Sequence, residues 1–107
     1  MIRCFHVTGV ENLNSIFACG LLPEKFQDGV VWLFKRPEDV TEYIKCAPKT
    51  WRGDNAVVEC SVPSYQLKRG DWPAWREYYI KHRVLPNRIL GAKILTQSLT
   101  GARAKGG

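Results

Sequence analysis

Few residues in this chain are suited to chemistry, and two of them stand close together near its start. His6 and Thr8 are separated by one residue in the run Phe5-His6-Val7-Thr8. Arg3 to Thr8 has the aromatic and β-branched content of a strand. Residues two apart on a strand point to one face, so an imidazole and a hydroxyl can converge on a single small polar ligand. The competing reading is a histidine satisfied within the fold. The carboxylate that stands out is Glu77, in Arg76-Glu77-Tyr78-Tyr79-Ile80, where aromatic neighbours can partly desolvate it. Its alternative is a solvated surface glutamate beside Arg76 or Lys81. Glu38, Glu42 and Glu59 are explained by helix-surface and mid-strand positions. Just before Glu77, Lys68, Arg69, Trp72, Trp75 and Arg76 mix cations with aromatics. That composition suits a stacked base and a neutralised phosphate, or else a long loop anchored by its tryptophans. Arg52, beside Trp51, is either an anion contact or an ordinary loop arginine.

Bulk composition narrows the classes. A chain of 107 residues supports one core, so every function must share one scaffold. The formal net charge of +6 favours an anionic partner. No apolar stretch approaches the ~20 residues needed to cross a bilayer, and the N-terminus lacks a signal-peptide pattern, so the expected location is the cytoplasm, with no membrane partner. Cys4, Cys19, Cys46 and Cys60 are scattered without a C-x-x-C pair, which suggests reduced, mostly buried thiols and no metal site.

The elements that must position these residues follow from periodicity. After the first strand, Val10, Leu13, Ile16 and Phe17 fall at helical spacing, Glu11 suits a first turn, and Gly20 supplies a helix end. Val30 to Phe34 is an uninterrupted apolar run, the mark of a strand buried on both faces. Pro37, Glu38 and Asp39 open a second helix whose stripe is Val40, Tyr43, Ile44 and Ala47, ended by Pro48. Ala56 to Val62 reads as a strand stopped by Pro63. Ser64 to Ala74 reads as a long loop, the sort of segment that carries function. Trp75 to Lys81 returns as a strand with Glu77 and Tyr79 on one face, Pro86-Asn87-Arg88 turns, and Ile89 to Leu95 closes the sheet with a bend at Gly91. Helices in the first half and strands in the second imply an α+β domain over 1–98 with a mostly antiparallel sheet. Residues 99–107, with Arg103 and Lys105 and no large apolar side chain, read as a disordered basic tail.

Taken in order, Phe5-His6-Val7-Thr8, Asn12-Leu13-x-x-Ile16-x-x-x-Gly20-Leu21, the Trp32 strand, and Glu77-x-x-Ile80 followed by Val84-x-Pro86-x-x-Ile89 resemble the ADP-ribosyltransferase superfamily, closest to its DarT-like branch, which modifies nucleic-acid bases. The resemblance spans roughly Arg3 to Leu95. It implies a split β-sandwich with two helices in its N-terminal half, gripping NAD as co-substrate between two small sheets, with no metal. It further implies that His6 bonds an NAD ribose hydroxyl, that the backbone at Val7 and Thr8 faces the nicotinamide amide, and that the aromatic beside the nicotinamide is Trp32, Phe34 or Tyr43. Arg52 becomes a diphosphate or acceptor contact, and Glu77 the catalytic residue. Lys68, Arg69, Trp72, Trp75 and Arg76 would meet the acceptor, a single-stranded DNA or RNA base. Trp75 stands where relatives acting on protein arginine carry Glu or Gln, which argues against that acceptor.

The activity this implies is NAD-dependent mono-ADP-ribosyl transfer, suited to a toxin or to phage defence or counter-defence, with a neutralising protein as partner. Two alternatives share the fold. The first is a non-catalytic module binding NAD, ADP-ribose or nucleic acid, favoured by the short chain and by Lys35, which stands where relatives carry a small hydroxyl residue. The second is an RNA 2′-phosphotransferase-like enzyme, for which only Arg52 and Arg76 are obvious phosphate contacts.

Overall fold

The computed structural model describes residues 1–46, 55–70 and 77–95. They form a mixed α+β fold built on a six-stranded antiparallel sheet of order β4-β5-β2-β1-β3-β6. The strands are β1 (Ile2–Gly9), β2 (Val31–Phe34), β3 (Asn55–Val62), β4 (Lys68–Arg69), β5 (Glu77–Ile80) and β6 (Ile89–Leu95); the helices are α1 (Leu13–Cys19) and α2 (Pro37–Cys46). Both helices lie in the first half of the chain and β3 to β6 in the second, as expected, with β1 and β2 before α2 where the sequence predicts strands at Arg3 to Thr8 and Val30 to Phe34.

Strand β1 is tied to β3 along its whole length, from Ile2 opposite Val62 to Gly9 opposite Asn55. Its register with β2 is confined to one pair, Phe5 opposite Phe34. The sheet thus consists of two three-stranded halves, β4-β5-β2 and β1-β3-β6, meeting at a short seam.

Alternation along the strands feeds two cores. Cys4, Val31, Leu33, Val58, Cys60 and Ile80 are buried with Ile16 of α1 on one face. Phe5, Phe34 and Val40 of α2, with Tyr43 and Ile44 against them, make the other. Strand β2 serves both, which is why its sequence is apolar without alternation. Cys4 and Cys60 are direct partners across β1 and β3, and burial pushes their thiols up to about 11 and about 12 respectively. Cys19 is exposed.

The local signals locate most elements. Helix α1 begins later than its periodicity suggests, because Val10–Asn12 forms a 3-10 turn first. Gly20 ends it at φ 84. A side chain there would be strained and would also collide with the Val84 carbonyl, since Leu21 and Val84 exchange backbone hydrogen bonds of 2.9 Å. Helix α2 starts at Pro37, where Arg36 holds the buried Asp39 at 3.3 Å. Ala47 lies outside the described residues. The segment read as one long loop instead contains a 3-10 turn at Ser64–Gln66 and the edge strand β4, so Lys68 and Arg69 are strand residues. Two charged residues carry no apolar alternation, and such short, lysine-bearing edges are visible only through their partner strand. In β6, Glu59 faces Gly91 while Cys60 faces Ile89, leaving Leu90 as an extra residue at the expected bend.

Candidate functional site

Phe5, Phe34 and Glu77 stand in line across β1, β2 and β5. Glu77 therefore shares the α2 face with Trp32, Phe34 and Tyr79, while strand alternation turns His6 and Thr8 to the α1 face. The sheet separates the two groups that the family resemblance implied would act on one ligand.

His6 occupies the β1–β2 seam. Its Nδ1–H donates to the Trp32 carbonyl at 2.9 Å, which fixes the neutral tautomer with Nε2 as an acceptor. Nε2 is buried and has no hydrogen-bond partner among the described residues. Phe26 meets the ring edge-on at 5.3 Å. Burial lowers the pKa of the imidazole, only partly opposed by the bond to Trp32. Along the same face, Thr8 Oγ1 accepts from Asn12 Nδ2 at 3.0 Å. Thr8, Asn12, Ser15, Lys25 and Phe26 border a cleft of about 260 Å³ beside α1. His6 and Thr8 do share a face, as their spacing predicts.

On the other face, the half-buried Glu77 carboxyl is raised above its usual range, first by burial and then by the charge of Asp28. Tyr43 projects from α2 against Phe34, with ring centroids 5.3 Å apart. Its phenol is raised by burial and by the Glu77 charge. Trp32 donates Nε1–H to Asp28 Oδ2 at 2.6 Å and leans on Tyr79 at 5.3 Å, tilted by 59°. It also lies so close to β4 that a side-chain carbon at Gly70 would stand 2.8 Å from the indole. The indole is therefore a fixed wall. Of the aromatics named for this side, Phe34 is buried in the core and Trp32 and Tyr43 are partly open. Val7 packs into the same cluster.

Cations flank both faces of β5. Register places Lys68 opposite Tyr79, on the Glu77 face, and Arg69 opposite Tyr78, on the α1 face. Lys35 lies 4.4 Å from the centroid of the Tyr78 ring. Among the described residues, no carboxylate is within ion-pair distance of Lys35, Lys68 or Arg69. Arg52, Trp72, Trp75 and Arg76 lie outside the described residues. No group of three or more metal-ligating side chains is found among those described.

Asp28 and Phe26 are the residues that sequence reasoning missed. Both belong to the polar segment before β2, and nothing local marks them. Asp28 matters because it accepts the Trp32 indole hydrogen bond and its charge acts on Glu77, and Phe26 because it closes over His6. No family model, curated protein or solved structure matches this chain.

Proposed function

We propose that this chain is an NAD-dependent mono-ADP-ribosyltransferase that transfers ADP-ribose to a nucleic-acid base and releases nicotinamide, on a split β-sandwich whose two sheets part at the β1–β2 seam. The observation that carries the reading is Glu77, a half-buried carboxylate in the company of Trp32, Phe34 and Tyr43. Breaking a nicotinamide glycosidic bond develops positive charge on the ribose, and a carboxylate held in a partly dry, preorganised setting stabilises that charge more than water can. Glu77 also orients the ribose 2′-hydroxyl. The fixed Trp32 and the Tyr43 ring hold a flat leaving group and exclude water.

His6, buried on the α1 face and bonded to the Trp32 carbonyl, serves this reading by holding the seam at which the two sheets meet. In the transfer the bond from the nicotinamide nitrogen to the ribose breaks and its electron pair leaves with nicotinamide. A base nitrogen supplies the pair for the new bond, and its proton passes to solvent. Lys68, on the Glu77 face, neutralises an acceptor phosphate.

A second reading, a non-catalytic module for NAD, ADP-ribose or nucleic acid, is favoured by one observation: His6 and Glu77 point to opposite faces. One experiment separates the two. Nicotinamide release and label transfer from NAD are followed for wild type and Glu77→Gln, with pooled single-stranded DNA or RNA. Transfer that depends on Glu77 is the expected result. NAD binding without release or transfer by the wild type gives the molecule to the second reading.

A further inference from the structure

The α2 face is covered unevenly. Helix α2 seals the seam through Val40 and Tyr43, yet farther along it stands away from β3 and β6. That leaves a cleft of about 410 Å³, roofed by Val40 and Ile44 and floored by Phe5, Val57 and Gly91. Small-molecule sites run from about 300 to about 1,000 Å³ and are mostly apolar with a few polar groups that fix orientation. This cleft has such a group. Lys93 lines it from β6, opposite Val57, and among the described residues no carboxylate is within ion-pair distance of it. Among the described residues the only carboxylate in the lining, Glu59, is held by Arg3 at 2.8 Å. The cleft is thus an apolar slot with a spare positive charge on one wall.

Gly91 strengthens the case and supplies the test. It is not among the glycines with positive φ, and a side-chain carbon built on it meets nothing within 4 Å. The strand would accept a larger residue there, so the open floor is not imposed by backbone conformation.

We propose that this cleft binds a small carboxylate with an apolar body, its chain or ring between Val40 and Phe5 and its anionic head at Lys93. Charge complementarity selects the acid over its neutral analogue, and the apolar walls supply the rest of the affinity. Glu77 does not line the cleft, so the proposal stands or falls independently of the transferase reading.

The test is titration calorimetry of the full chain with octanoate, octanol and 2-naphthoate. Saturable one-to-one binding of octanoate or naphthoate is expected, and which of them binds tells an alkyl from an aromatic acid. Octanoate should exceed octanol by about tenfold, one charge-assisted contact's worth. Lys93→Gln should erase that preference while leaving octanol unaffected. Gly91→Phe fills the floor and should abolish binding of all three; Gly91→Val, a smaller intrusion, should weaken it with the thermal transition retained. Absence of saturable binding by both acids overturns the proposal, as does binding that survives unchanged in the Lys93 and Gly91 variants.

Discussion

The two faces of the sheet treat a titratable group in opposite ways, and the contrast separates structure from chemistry. On the α1 face, His6 is enclosed: buried, capped by Phe26 and bonded to the backbone of the neighbouring strand. On the α2 face, Glu77 is half-buried and flanked by partly open aromatics. Burial pushes both toward neutrality, lowering the imidazole and raising the carboxyl. The imidazole uses its neutral state to join two strands where their register is confined to one pair. The carboxyl remains within reach of a ligand. A buried group with a backbone partner is a joint; a half-buried one walled by aromatics stays open to what approaches its face.

The largest effect that would test this contrast is on turnover. Glu77→Gln should reduce nicotinamide release at least about 100-fold, the scale of losing one preorganised electrostatic contact. NAD affinity and the thermal midpoint should stay near wild type; a comparable loss of folding stability would mean that Glu77 is also structural.

His6→Ala should do the reverse and unfold the seam. Losing a buried ring and leaving the Trp32 carbonyl unpaired should cost about 3 kcal/mol, read by urea denaturation. The pH dependence follows from linkage. The folded-state pKa of His6 lies below the ordinary 6.5, so the unfolded chain takes up a proton first as pH falls. The stability contributed by neutral His6 is complete above 6.5 and declines as pH drops from there toward the folded value. In His6→Gln that decline should disappear, and its persistence would show that another group is responsible.

A smaller effect belongs to Asp28. With Glu77 raised by burial and by Asp28, the ionised form that the proposed transfer uses is lost at a higher pH than for an ordinary glutamate. Asp28→Asn removes one of those two causes and should move the acidic limb of the rate profile to lower pH. It should also loosen Trp32, costing about 1 kcal/mol. A limb that does not move would detach Asp28 from the site.

The finest division is between neighbours on β4. Lys68 faces the Glu77 side and Arg69 the α1 side. Lys68→Ala should therefore weaken label transfer to nucleic acid more than Arg69→Ala. It should also flatten the salt dependence of association by about one unit of log–log slope. Equal effects would mean that the acceptor spans both faces.

Much of the architecture was legible locally. Pro37 opens α2, Gly20 takes the positive φ that ends α1, and Ile89–Leu95 is a strand. Each follows from short-range sterics and periodicity that involve only a residue and its chain neighbours. The pairing of His6 with Thr8 on one face is of the same kind, since strand alternation needs no partner.

What the chain alone could not reveal was which residues meet across strands. The register that aligns Phe5, Phe34 and Glu77 sets Glu77 against the α2 face and His6 against the other. It depends on long-range pairing that no local pattern encodes. Strand β4 becomes visible only when Lys68 and Arg69 find β5. Asp28 acquires significance only because Trp32 turns its indole toward it. Sequence determined the chemical types and the local elements through short-range sterics. The tertiary structure decided which of those types share a face, because a sheet's faces are assigned by packing two helices against opposite sides of strands distant in sequence.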